Sequence, residues 1–429
     1  MRDLIITLVI IGAVPFILMR PYIGVYVWSW LSYMNPHRFS WGFAYNMPFS
    51  AITAGALITG FLLTKDKNKF IVTPITIVWI AFFLWITLST FTAINVEVSM
   101  VEWRRVVKIQ LITLFTLLLI TSRERLNQLI WVIVLSIGFF GIKGGLFVAA
   151  TGGSFRVGGP PDSFVSGNNE IALALLMVLP LMWYLRTQSI NKWIKHALLV
   201  SILLCVLSII STYSRGAFVA SAAVMMMFWM KSNKKLLIGT VLVALAITVL
   251  SFMPSHYFER INTIQTYEQD ASAMGRINAW HFAVNLAADH PLTGGGFGSF
   301  TKLLFLTYAP SPLDFHDAHS IYFEVLGEQG FVGLFLFLTL WVLCYRTCGN
   351  IRKQVRDIEN MKWAEALASM VQVSLVAYGV GGAFLGLAYF DLPYHIMVIC
   401  VLCQFFVNRE LESRVSKEQG VVNIERPLV

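Results

Sequence analysis

The sequence predicts an all-α, polytopic membrane protein of about twelve transmembrane helices, with a helical module set into one long loop. Three observations predict it. Of the 429 residues 57% are hydrophobic and only 13% are charged, about half the charged share of a soluble domain. Mean hydropathy is +0.69. Apolar runs about as long as a bilayer crossing recur from end to end. Helices satisfy their own backbone in lipid, whereas a transmembrane barrel would show short alternating segments.

The runs fall at 4–34, 47–64, 71–94, 106–122, 127–150, 169–187, 196–212, 216–231, 236–254, 328–346, 363–390 and 394–408. The first is interrupted by Pro15, Arg20 and Pro21. Tyr22, Tyr26, Trp28, Trp30 and Tyr33 follow it, a density that suits an interfacial aromatic belt. It reads as one broken crossing, two crossings being the open alternative. It lacks a small-residue cleavage site and so reads as an anchor. Basic clusters then alternate along the connections: Lys65/Lys67/Lys69, Arg123/Arg125, Arg186/Lys192/Lys195, Lys231/Lys234/Lys235, Arg346/Arg352/Lys353/Arg356/Lys362 and Arg409/Arg414/Lys417. By the positive-inside rule these are cytoplasmic. The connections 151–168, 213–216 and 255–327 are then outside. Residues 1–408 form one membrane domain that includes the loop 255–327, and 409–429 form a polar cytoplasmic tail. The net charge of +9 reflects this topology and contact with anionic lipid, not nucleic-acid binding. The five cysteines lie in or beside spans or on the basic side. Cys400 and Cys403 form a CxxC inside an apolar helix, where small packing residues are expected rather than a disulfide.

Cations on the outer side are the exceptions to this pattern. Arg104, Arg105 and Lys108 begin a span, with Glu102 as a ready partner. Lys143 sits in a run rich in glycine (Gly138, Gly141, Gly144, Gly145), which predicts a buried cation among closely packed helices. Arg156 is in a glycine-rich outer loop. Arg215 stands in the polar break Thr-Tyr-Ser-Arg-Gly (212–216), between two spans with almost no loop. Charges at membrane depth are costly and face a cavity or a partner, the bland alternative being snorkelling. A guanidinium at such a turn can hold a phosphate through two parallel hydrogen bonds. Several cations at one leaflet suit a polyanionic ligand, and a lipid pyrophosphate fits, its tail in the bilayer and its head at the interface.

The long loop holds His256, His281, His290, His316 and His319, with Arg260, Arg276 and Lys302 between them. Residues 272–289 have helical spacing, with Ile277, Trp280, Val284 and Ala287/Ala288 on one face and Ser272 as a cap. Arg276 and Trp280 lie one turn apart. His290-Pro291 ends this helix, and Gly294-Gly295-Gly296-Phe297-Gly298 permits close backbone approach or a phosphate cradle. Next comes Asp314-Phe315-His316-Asp317-Ala318-His319-Ser320. Asp317 as N-cap would put His319 in the first helical turn, where the helix dipole keeps the ring neutral and able to accept a proton. His316 is a weaker second candidate. Zinc binding by the two histidines is the alternative, without an HExxH pattern to support it.

Three segments in order resemble the O-antigen ligase and polymerase superfamily: Thr-Tyr-Ser-Arg-Gly (212–216); Gly275-Arg276, Trp280 and His290-Pro291-Leu292 with Gly294/Gly296/Gly298; and His319-Ser-Ile-Tyr-Phe-Glu-Val-Leu-Gly-Glu-Gln-Gly (319–330). The likeness covers roughly residues 70–405, and the sequence also resembles a subgroup described as exosortase-associated ligases. Ser320 stands where the family has an asparagine. The resemblance implies a bacterial inner-membrane glycosyltransferase of lipopolysaccharide biosynthesis with a periplasmic active site. It implies a glycan on undecaprenyl pyrophosphate as donor and a hydroxyl of lipid A–core as acceptor; some relatives polymerise repeat units or glycosylate proteins. His319, Arg215 and Arg276 match the family's essential residues. Arg215 and Arg276, with Arg156, Lys143, Arg104 and Arg105, are the candidate pyrophosphate ligands. No metal or other cofactor is expected, since the nearest approach to a DxD is Glu268-Gln-Asp270 in mid-loop. A lipid-linked glycan flippase is the rival of another class.

Overall fold

The computed structural model describes residues 1–153, 155–160, 163–231, 235–236, 239–240 and 271–424. The expected span 236–254, together with His256, Arg260 and Glu268-Gln-Asp270, lies wholly or mostly outside these residues. Among the described residues the chain is all-helical, with no strand. The helices are α1 (Arg2–Met19), α2 (Tyr22–Met34), α3 (Phe49–Leu63), α4 (Pro74–Phe91), α5 (Val96–Leu119), α6 (Arg123–Thr151), α7 (Asn168–Gln188), α8 (Lys192–Ile210) and α9 (Arg215–Lys231). After the undescribed stretch come α10 (Ala271–Asp289), α11 (Lys302–Tyr308), α12 (Ile321–Val355), α13 (Lys362–Gly381) and α14 (Asp391–Ile424).

Eight helices among the described residues are long and apolar enough to cross a membrane. The other expected spans that lie among the described residues fold as helices too. However, α3 has 15 residues and α9 has 17, while α5 carries Glu97, Glu102, Arg104, Arg105 and Lys108 along its length.

The N-terminal run differs from the single broken crossing expected. Asp3 accepts from the backbone N–H of Gly42 and Ala44 at 3.0 and 3.1 Å, so α1 begins where α2 has already ended. The two helices turn at Arg20–Pro21 and return antiparallel. Pro21 has no N–H to donate at the break, which only the tight bond from Ile23 N to Arg20 O at 3.0 Å spans, and Gly24 lets the return leg pack against Ile17 and Leu57. The tail also differs: α14 runs on past Asn408 to Ile424.

Caps set several helix starts. Thr73 and Thr76 form a reciprocal capping box with Pro74 at the first turn of α4, Asn95 caps α5 and Ser122 caps α6. Each cap satisfies an N–H that the first helical turn leaves orphaned. Helix α7 is buried on nearly every side and lies against α13, where Ser374 Oγ donates to Met177 O at 2.7 Å. Helices α6 and α8 meet through small residues. A methyl group at Gly141 would strike Cys205 Sγ, and one at Gly145 would strike the Leu204 carbonyl. Without a hydrophobic drive between helices in lipid, such close backbone packing supplies the attraction. All five cysteines are free and buried, with Cys348 Sγ 3.3 Å from Cys400 Sγ.

The connections sort to two ends of the bundle. At one, Arg125 pairs with Asp66 at 2.5 Å and Arg123 lies over the Trp363 ring. The guanidinium, as partner and donor, holds the Asp66 carboxyl below its usual pKa. At the other, hydrogen bonds join residue 94 to 295, 157 to 211, 168 to 212 and 324 to 388. The connection 151–168 thus meets the turn before α9, and the connection after α4 meets the loop 255–327.

Candidate functional site

Helix α10 lies along α12 and carries the site's scaffold. Its buried face is Gly275, Asn278, Ala279, Phe282, Ala283, Leu286 and Ala287, one position away from the face expected from hydropathy. Val284 is 41% exposed. The shift follows from aromatic packing: Phe282 stacks on Phe305 of α11 with centroids 4.3 Å apart. Asn278, buried within this face, is the polar exception. Its Nδ2 donates to Ser311 O and Asp314 O, and its Oδ1 accepts from Ser311 N, all within 2.9 Å. One side chain thus stitches the segment before the histidines onto α10. Gly275 admits the His316 ring, which a methyl group there would strike. His316 Nε2 lies 2.9 Å from Asp314 Oδ1.

Trp280 does the positioning one residue from His319. Its indole N–H donates to Ala318 O at 2.9 Å, and its ring stacks on Phe323 at 4.9 Å with the planes 11° apart. His319 itself has φ +42°, a left-handed conformation uncommon outside glycine. It stands before the helix rather than in its first turn. Ser320 is the N-cap and α12 begins at Ile321, while Asp317 Oδ1 caps only the Ala318 N–H. Burial lowers the His319 pKa below its ordinary value; Asp317 and Glu170 oppose this, and Arg276 adds to it. The direction favours the neutral ring at pH 7. Burial and Arg276 produce it, not a place within the helix.

Arg276 is thereby within electrostatic reach of His319. Arg215 begins α9 after Tyr213, whose φ is +52°. The turn is held from two sides. Tyr213 donates to Gly153 O and Val157 N to Ser211 O at 3.1 Å, while Asn168 at the start of α7 donates to Thr212 O at 2.8 Å. Glu170 stands on that same first turn, its carboxylate folded back over Gly167. It is the residue that sequence reasoning missed; an acid in the first turn after a glycine-rich outer loop was the available signal.

The glycine run serves the fold. Helix α12 is broken at Gly330, which has φ +68°, and the break frees backbone groups that the run satisfies. Gly295 N–H donates to Gly327 O and Gly296 N–H to Glu328 O, each at 2.9 Å. Trp85 Nε1 donates to Gln329 O at 3.0 Å and Phe331 N to Pro291 O at 2.9 Å. Gly298 N–H donates to Glu328 Oε1 at 2.8 Å. These N–H groups are engaged by protein oxygens, so the phosphate-cradle reading gives way to backbone completion, which lipid makes obligatory.

The remaining cations are distributed apart. Arg105 pairs with Glu102 at 3.1 Å on α5, and Arg104 is exposed beside it. Lys143 is exposed, not buried: the α6 glycines pack on α8, and Lys143 points off that seam. With Arg156 it lines a cavity of about 300 Å³ whose lining includes neither Arg215, Arg276 nor His319. His281 is exposed and His290 lies 3.8 Å from Asp289. Among the described residues no group of three or more His, Cys, Asp or Glu side chains is arranged to hold a metal.

Comparison with known families divides the chain in two. Residues 1–190 match a family of unknown function. Residues 199–338 match the family described as O-Antigen ligase, a stretch that runs from α8 into α12 and contains Arg215, Arg276 and His319. The resemblance to the O-antigen ligase and polymerase superfamily is thus borne out over that stretch, and neither match speaks to the exosortase-associated subgroup. No curated protein matches the chain.

Proposed function

We propose, from the O-antigen ligase domain at residues 199–338, that this chain is an inverting, metal-independent glycosyltransferase of the inner membrane. It moves a glycan from undecaprenyl pyrophosphate to a hydroxyl of lipid A–core on the periplasmic face. The observation that carries the reading is a partly buried imidazole at His319, its pKa lowered by burial, with Arg276 in reach. His319 takes the proton of the acceptor hydroxyl, whose oxygen attacks the anomeric carbon opposite the leaving group. The bond from that carbon to the pyrophosphate oxygen breaks. Arg276 and Arg215 hold the pyrophosphate and neutralise the charge it gains. Trp280 positions His319 through the Ala318 carbonyl. Glu170 and Asp317 favour the imidazolium that forms.

The test is reconstitution of the full chain with lipid-linked glycan and candidate acceptors, in the presence of a chelator. The expected result is a new glycoside and free lipid pyrophosphate. His319→Ala is expected to lower the rate by about 10²–10⁴-fold, the usual contribution of a general base. Arg215→Ala and Arg276→Ala are each expected to lower it by about 10²-fold or more. Glycan that crosses the bilayer without forming a bond, or a fully active His319→Ala protein, would overturn the reading.

A further inference from the structure

We infer that the cavity between α6 and residues 156–160 is a second, lateral site for a phosphate-bearing lipid, distinct from the place where the pyrophosphate reacts. The cavity is about 300 Å³ and open on one side. Two cations line it, Lys143 and Arg156, with the rings of Phe39, Phe140 and Phe147. Lys143 Nζ lies 5.8 Å from the Phe39 ring centroid. Among the described residues, no carboxylate pairs with either cation. Two neighbouring cations without an acid between them repel each other, and an anion relieves the repulsion.

Depth and surroundings select a lipid. Lys143 stands about 30 Å along the α6 axis from Arg123 at the standard helical rise. That distance is about the thickness of the hydrocarbon core. With Arg123 at the basic end of the bundle, Lys143 is therefore level with the opposite headgroups. On the bilayer side of it α6 exposes Leu135 and Phe139, a stripe that leads up to Lys143, and just beyond it Leu146 and Phe147 are exposed, Phe147 lining the cavity. A headgroup phosphate between Lys143 and Arg156 would leave its chain on that stripe. Arg gives the phosphate two parallel donors, and Lys gives a point charge.

The family matches separate this site from the reaction, and hydrogen bonds make it a neighbour. Its lining lies wholly within the residues matched to the family of unknown function, outside the O-antigen ligase stretch. Yet its wall is tied to the Arg215 turn, because Val157 N donates to Ser211 O and Ser211 Oγ to Phe155 O. A lipid held there is a neighbour of the reacting one, not the same molecule.

The test is binding, so it does not depend on transfer. The full chain in phosphatidylcholine nanodiscs is titrated with lysophosphatidic acid and, separately, with monoacylglycerol and inorganic phosphate, and bound probe is counted by native mass spectrometry. Lysophosphatidic acid is expected to bind. The Lys143→Met/Arg156→Gln protein is expected to bind it about tenfold more weakly, or worse, for loss of two charge-assisted contacts. Lys143→Arg, which keeps the charge and controls for folding, and Arg215→Gln should bind as the parent does. Unchanged binding in the double variant would overturn the inference. So would equal loss in Arg215→Gln, which would merge the two sites, or inorganic phosphate binding as well as the lipid. None of these outcomes bears on whether the chain transfers glycan.

Discussion

At the scale of single residues, the decisive property is the protonation of His319. A base must be neutral to act, and burial together with Arg276 depresses its pKa. Activity is therefore expected to be level at and above pH 7 and to fall only below about 6.5, the ordinary histidine value. Asp317 opposes the depression, so Asp317→Asn should move the acid limb of kcat/KM to still lower pH. An unmoved limb, or one moved upward, in a pH–rate profile would count against His319 as the titrating base. Trp280→Phe keeps an aromatic ring against Phe323 but removes the donor to Ala318 O. The loss of one hydrogen bond, about 1 kcal/mol, predicts a roughly fivefold fall in kcat/KM with no more than about 1 kcal/mol of lost stability. His319, Arg215 and Arg276 were legible as motif positions. Glu170 was not, because its relevance comes from α7 starting beside a histidine far away in sequence.

At the scale of elements, the broken α12 and the glycine run form one device. A helix interrupted at Gly330 leaves carbonyls without intrahelical donors, and Gly295 and Gly296 supply two of them. Two glycines separate the contributions. Gly152 has φ +62° with nothing within 4 Å of an added methyl group, whereas Gly296 has φ +83° and an added methyl group there would strike Ala93 Cβ. Gly152→Ala is expected to cost about 1–2 kcal/mol of backbone strain alone. Gly296→Ala adds a clash against the approach to α5 and should lower Tm markedly further in a thermal scan of the purified protein. Equal melting of the two variants would show that the run does not brace the break. The sequence exposed the run but not its purpose, since a glycine N–H reads alike whether it faces a phosphate or a carbonyl. The register of α10 was likewise hidden, because stacking of Phe282 on Phe305 outweighs the stripe that hydropathy alone marks out.

At the scale of the whole molecule, the two ends of the bundle differ in charge, and the basic end is expected to face the cytoplasm. Single cysteines test this against a background of buried native thiols. Ser311→Cys should react with an impermeant thiol reagent in intact cells, and Glu359→Cys only after permeabilisation; the reverse pattern would invert the proposed orientation. The sequence by itself determined the helical class and the position of most of the described helices, and it singled out the three residues proposed for the reaction. Those are local properties: in lipid, apolar length and backbone self-satisfaction decide a helix without reference to its neighbours. Tertiary structure alone decided that the first run is a hairpin, that α12 breaks and is completed by a distant glycine run, and that Lys143 and Arg156 share a cavity apart from Arg215, Arg276 and His319. Each of these depends on which surfaces fit at close range between residues remote in the chain, and hydropathy carries no record of that fit.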